Sequence, residues 1–106
     1  MLFELRQYQA QPGQRDRLVQ YMEEVIIPFQ VSKGVVVVAS FVGEEDDDSF
    51  VWIRRFDDEA HRQKLYEAVY ESETWKNEIS PKIPEFNMRE KARVTRLLPT
   101  ATSVIR

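Results

Sequence analysis

The side chains best suited to binding or acid–base chemistry fall on two short alternating runs. Glu4, Arg6 and Tyr8 share one side of the first, and Phe50, Trp52, Arg54 and Phe56 share one side of the second. Placed on neighbouring central strands and facing the same way, they would put carboxylate, guanidinium, phenol and indole groups on one sheet face. Charged groups are costly to bury unless they find a partner, so these must pair with one another or with a ligand. One arrangement is an ion pair from Glu4 to Arg54 or Arg6 that fixes the sheet. The other is an amphipathic pocket for a small aromatic or carboxylate-bearing molecule. Its ligand-binding residues would be Glu4, Arg6, Tyr8, Trp52, Arg54 and, from a later helical segment, Trp75.

His61 is the single histidine and the one weak candidate for catalysis, as a general acid or base near neutral pH. Alone it cannot complete a metal site, and with no cysteine in the chain thiolate nucleophiles and Cys-based zinc sites are excluded. No metal and no cofactor are expected. The three glycines build neither a phosphate loop nor a dinucleotide fingerprint. The acidic run Glu44-Glu45-Asp46-Asp47-Asp48 reads as a solvated turn, because an EF-hand would need glycine and glutamate at fixed later positions.

Positioning these residues requires a definite set of elements. Leu2 to Gln9 alternates as a strand ended by Pro12-Gly13. Leu18, Tyr21, Met22 and Val25 recur at three- and four-residue spacing and predict a helix over 14–32, bent at Pro28 and stopped by Gly34. The β-branched run 35–42 and the segment 50–56 predict a hairpin, the first arm covered on both faces. Asp57 or Asp58 caps a second helix through His61, Leu65, Ala68 and Val69. A further start signal at Ser72 opens a short helix carrying Trp75 and closed by Pro81 and Pro84. Phe86 to Leu98 reads as a long, Arg-rich edge strand.

Strand, helix, hairpin, helices and strand is the split β-α-β order: an α+β, ferredoxin-like β-α-β-β-α-β domain with both helices on one face of a four-stranded antiparallel sheet. At 106 residues the chain fits a single domain over 1–99 with a tail over 100–106. Composition is that of a globular protein, 42% hydrophobic and 31% charged, and no apolar run reaches membrane-spanning length. A net charge of −3 argues against a nucleic-acid partner. The absence of cysteine fits a reducing compartment, and the cytoplasm is the expected location.

Aliphatic residues point both ways along the second and third strands, leaving an apolar face with no helix over it. A patch of that size exceeds what a soluble monomer normally exposes, so a homodimer packed sheet on sheet is expected.

Four segments carry a family resemblance: Glu4-Leu5-Arg6-x-Tyr8 with Pro12-Gly13; Phe50-Val51-Trp52-Ile53-Arg54-x-Phe56-x-Asp58; Trp75-Lys76; and Arg96-Leu97-Leu98-Pro99. In this order they resemble the bacterial branch of the NIPSNAP domains, which is similar to the dimeric α/β-barrel superfamily. Arg55 departs from the pattern, standing where glycine is common. The resemblance implies two ferredoxin-like sheets facing across a dimer and no agreed catalytic mechanism. Three functions follow for comparison: a dimeric small-molecule binder, a cofactor-independent monooxygenase or isomerase-like enzyme, and a protein–protein module using the tail from Thr100 to Arg106. Haem binding lacks support, since the one axial candidate, His61, lies near a helix start.

Overall fold

The computed structural model describes residues 1–106. Strand β1 spans Leu2–Gln9, β2 Val36–Val42, β3 Ser49–Phe56 and β4 Arg93–Leu97. They form one antiparallel sheet in the order β2-β3-β1-β4. The chemically loaded strands β1 and β3 are therefore the central pair. Their register sets Glu4 against Arg54, Arg6 against Trp52 and Tyr8 against Phe50, so both polar runs do point the same way.

That shared face is the one beneath the helices. Along β3 burial alternates strictly, with Phe50, Trp52, Arg54 and Phe56 inside. The core divides into two apolar clusters. One gathers Leu18, Met22, Ile26, Phe50, Trp52, Ile79, Ile83 and Phe86. The other gathers Leu2, Val35, Phe56, Leu65 and Val69. Arg54 sits on β3 between Trp52 of the first and Phe56 of the second, so a polar seam crosses the core.

The first helical region is α1 (Arg15–Tyr21), a π-helical turn over Met22–Ile26, and α2 (Ile27–Ser32). Just before Pro28, where a bend is expected, the helix carries a widened turn. Ile27 N–H reaches back five residues to Met22 O, which gives the proline ring room in the ladder without ending the helix. Gly34, at φ +105°, terminates α2 as expected, and a Cβ there would come within 3.3 Å of Leu65 Cδ2. Helix α3 (Glu59–Tyr70) starts at Asp58, whose carboxylate accepts from His61 N–H at 2.8 Å.

Three expectations need correction. The segment from Phe86 is not strand until Arg93: Ser80–Glu85 and Arg89–Lys91 are 3-10 turns, and Phe86 and Asn87 are buried. Ile83 and Phe86, three apart, belong to the helix side of the core, which overrides the apparent strand alternation. Pro81 and Pro84 do not close the helical run that Ser72 opens; it passes through Trp75–Ile79 and continues as 3-10 turns to Glu85. Pro81 falls in the first turn of the 3-10 segment, where N–H groups have no partner to lose, whereas Pro84 lies inside it. Strand β2, finally, is an edge strand and is not covered on both faces of the single chain. Val36 and Phe41 are 44% and 56% exposed.

On the helix-free face the C-terminal segment folds back over part of the sheet. Pro99, Thr100, Ser103 and Ile105 border a hollow with Phe3, Ile53 and Leu97. Arg55 Nε and Nη2 donate to the main-chain oxygen of Arg106 at 3.2 and 3.1 Å. Arg55 thus holds the tail of its own chain. No helix is long and apolar enough to cross a membrane.

Candidate functional site

The polar seam is built around Glu4, which is wholly buried, as is Arg54. Glu4 Oε1 accepts from Arg54 Nη2 at 2.5 Å. Its Oε2 accepts from Arg62 Nε at 2.6 Å and from Tyr66 Oη at 2.6 Å. Arg54 also donates to Gln30 Oε1 at 2.7 Å, Tyr70 Oη at 2.8 Å and Tyr66 Oη at 2.8 Å. Residues from β1, β3, α2 and α3 meet on this one ion pair. Fixing β1 to β3 is the structural role expected of a Glu4–Arg54 contact, and the geometry fulfils it.

Burial alone would push the Glu4 carboxyl up. The Tyr66 hydroxyl bond, the Arg54 charge and the Arg62 and Arg54 hydrogen bonds outweigh it and hold the group at about 2. Glu4 is therefore a fixed anion at neutral pH, unsuited to accepting protons. Burial pushes the Tyr66 phenol up, against the pull of Arg54, and it stays a neutral hydroxyl that donates a hydrogen bond to Glu4.

Beside the seam, between helices and sheet, opens a cleft of about 360 Å³. Arg6, Tyr8, Trp52 and Trp75 lie on its wall, together with Gln30 and Tyr70. Glu4 and Arg54 do not; they form the layer beneath, touching the wall through Gln30 and Tyr70. Arg6 is the link between seam and cleft. Its Nε donates to Tyr8 Oη at 2.9 Å and its Nη1 to Tyr66 Oη at 3.3 Å. Its guanidinium lies 5.9 Å from the Trp52 ring centre, within cation–π range.

Two buried donors around the cleft have no protein partner, Trp52 Nε1 and Gln30 Nε2, and the buried acceptor Asn87 Oδ1 is likewise unpartnered. All three residues border the cleft. Since Gln30 Oε1 is taken by Arg54, the amide orientation is fixed and its NH2 group is the free end. Native proteins leave few such atoms unsatisfied.

His61 lies outside this cleft. It is half-buried at the start of α3, where its Nδ1 accepts from Asp57 N–H at 3.0 Å and its ring lies at 73° to that of Phe56, 6.3 Å between centres. Its contacts are those of a helix start. No three His, Asp or Glu side chains approach closely enough to hold a metal ion.

Gln30, Arg62, Tyr66 and Tyr70 are the partners that the sequence reading did not single out for the site. Two signals were present. Gln30 falls on the four-spaced row Leu18, Met22, Ile26, where a polar residue is out of place. Arg62, Tyr66 and Tyr70 are one turn apart on the same helix.

The sheet order and the helices on one face define a ferredoxin-like α+β domain. Within that class the chain belongs to the NIPSNAP family, whose family model matches residues 3–103. Among solved structures it is similar to a NIPSNAP family protein of unknown function from Agrobacterium tumefaciens, at 21% identity and TM-score 0.88, covering 100% of this chain and 94% of that one. An uncharacterised NIPSNAP domain protein from Burkholderia xenovorans matches at 19% identity and TM-score 0.84, over 97% and 98% of the two chains. An antibiotic biosynthesis monooxygenase shares the fold at 20% identity and TM-score 0.67, over 94% and 99%. No curated protein sequence matches the chain significantly.

Proposed function

We propose that this domain binds a small molecule with an aromatic or apolar body and a carboxylate or similar acceptor head, and that it works as a homodimer. The observation carrying the binding reading is the pair of unpartnered buried donors, Trp52 Nε1 and Gln30 Nε2, bordering the same cleft as the Arg6 guanidinium. Each buried donor left unmade costs about 1–3 kcal/mol. An acceptor placed among the three would recover that cost, while Trp75, Met22 and Ile26 receive the apolar part. Calorimetric titration with benzoate and 2-naphthoate tests this. Binding that Arg6→Met abolishes in a protein with unchanged circular dichroism supports it; silence from the unmodified protein overturns it.

A catalytic reading takes its support from the monooxygenase relative and from the phenols Tyr8 and Tyr70 on the cleft wall. Against it stand a carboxylate held as a permanent anion and a histidine outside the cleft. Binding without turnover is therefore preferred. Oxygen uptake with a phenolic substrate would reverse that preference.

The dimer reading rests on Val36 and Phe41, exposed on the helix-free face beside half-buried Val51 and Ile53. The tail covers the Phe3 and Leu97 side of that face, leaving the β2–β3 side for a second copy. Light scattering at micromolar concentration should give a dimer mass that Phe41→Glu halves. A monomer mass for the unmodified protein would exclude the dimer. Such a domain, lacking cysteine, is assigned to the cytoplasm.

A further inference from the structure

The cleft is cationic at two places and acidic at none. Arg6 and Arg89 both line it, and no Asp or Glu does, in a chain whose net charge is −3. Neither guanidinium has a counter-ion to itself.

Arg6 has one carboxylate nearby, Glu4 Oε1 at 3.5 Å. Glu4 is already shared between Arg54 and Arg62 at 2.5 and 2.6 Å. Arg62 turns in addition to Glu59, but Glu59 also pairs with Arg96. Four guanidiniums thus divide two carboxylates. Arg6 spends Nε and Nη1 on the neutral hydroxyls of Tyr8 and Tyr66, which leaves Nη2 for a ligand.

Arg89 stands on the turn Arg89–Lys91, exposed at the rim. Its Nη2 donates to Ser80 O at 2.7 Å and Ser80 Oγ at 2.8 Å, both neutral acceptors. Those bonds fix the side chain against the cleft without neutralising it, and the remaining N–H groups stay uncommitted. The same cleft has apolar lining as well, with Leu18, Met22, Ile26 and Ile83 contributing.

We propose that the ligand carries two anionic groups at opposite ends of an apolar body, one held at Arg6 and the other at Arg89. Resting on the binding reading above, this assigns the class as dicarboxylates, or dianions of similar shape, with a rigid apolar spacer. A cation set against apolar surface with no counter-ion is poorly placed until an anion joins it, and a guanidinium matches a carboxylate through two parallel hydrogen bonds. Arg6 supplies the inner, poorly solvated contact, with Trp52 and Gln30 donating beside it. Arg89 supplies the outer, solvated one.

The test compares benzoate with terephthalate, and 2-naphthoate with naphthalene-2,6-dicarboxylate, by calorimetric titration at low ionic strength. At least one diacid should bind about five-fold more tightly than its monoacid, the gain expected of an exposed ion pair. Arg89→Gln should erase that advantage, bringing the diacid to the affinity of the monoacid measured on the same variant. Its exposed position lets the variant fold, which circular dichroism confirms. If monoacids bind and neither diacid binds more tightly, or if Arg89→Gln leaves the diacid advantage intact, the second anion subsite is refuted and the binding cleft stands. If neither class binds, the cleft reading falls with it.

Discussion

Glu4 Oε1 lies 2.5 Å from Arg54 Nη2 across the two central strands, on directly facing positions, with both side chains closed off from solvent. A buried pair of this kind is not by itself evidence of stability, because removing both ions from water costs nearly as much as their attraction returns. Here Glu4 Oε2 and both terminal nitrogens of Arg54 have further partners, while Arg54 Nε has none. What the pair supplies is register: a one-residue slip of β1 against β3 would part the two charges and set Arg54 opposite Phe3 or Leu5.

Removing one member should therefore be severe. Glu4→Gln leaves Arg54 buried without its counter-charge, and Arg54→Met takes the shortest of its ion pairs from Glu4, leaving Arg62 and the more distant Arg6. Each should cost about 3–5 kcal/mol of unfolding free energy, read from urea denaturation monitored by tryptophan fluorescence. A loss under 1 kcal/mol would mean that the seam relaxes to admit water.

Acid should destabilise the domain through the same residue. The Glu4 carboxyl falls from 4.5 to about 2 in the folded chain. A depressed carboxyl contributes stability that is fully present above its unfolded value and is lost as pH falls through the folded one. Stability should thus drop between about pH 4.5 and pH 2, by about 3 kcal/mol in all. Denaturation curves across that range measure it, and Glu4→Gln should flatten the slope.

Tyr66→Phe removes the hydroxyl that donates to Glu4 at 2.6 Å and accepts from Arg54 at 2.8 Å. The Glu4 carboxyl should rise, moving the acid unfolding midpoint to higher pH. At neutral pH the loss should be about 1–3 kcal/mol, the cost of buried groups left unpaired. An unchanged acid midpoint would assign the anchoring of Glu4 to the arginines alone.

Gly34→Ala should destabilise by at least about 1 kcal/mol, since φ +105° is open to glycine and a methyl there would press on Leu65 Cδ2 at 3.3 Å. Thermal unfolding would show it. A neutral result would mean that the end of α2 re-forms with another backbone angle.

The two central strands were legible because alternation with a period of two needs only one buried face to be readable, and Phe50, Trp52, Arg54 and Phe56 present one. Alternation put Glu4 and Arg54 on the inward sides of their strands but left Arg54 and Arg6 both open as partners of Glu4; the register decides for Arg54. The region after Ile79 was not legible in the same way. Its apolar residues Ile83 and Phe86 serve a 3-10 spacing broken by prolines, and the alternating basic residues Arg89, Lys91 and Arg93 resemble a strand before one begins. Tyr66, Tyr70 and Arg62 were readable as neighbours on one helix but not as partners of Glu4, because helix-to-sheet contacts leave no periodic trace.

The widened turn at Met22–Ile26 has a consequence for how the first helical region keeps count. Leu18, Met22, Ile26 and Gln30 advance by fours, and four residues of regular helix overshoot a full revolution by about 40°. Three such steps would swing Gln30 roughly 120° away from the line of Leu18. The slack turn takes back much of that overshoot, as a leap day corrects a calendar. One surplus residue in the winding thereby brings an amide, rather than an aliphatic neighbour, between the guanidinium of Arg54 and the cleft wall.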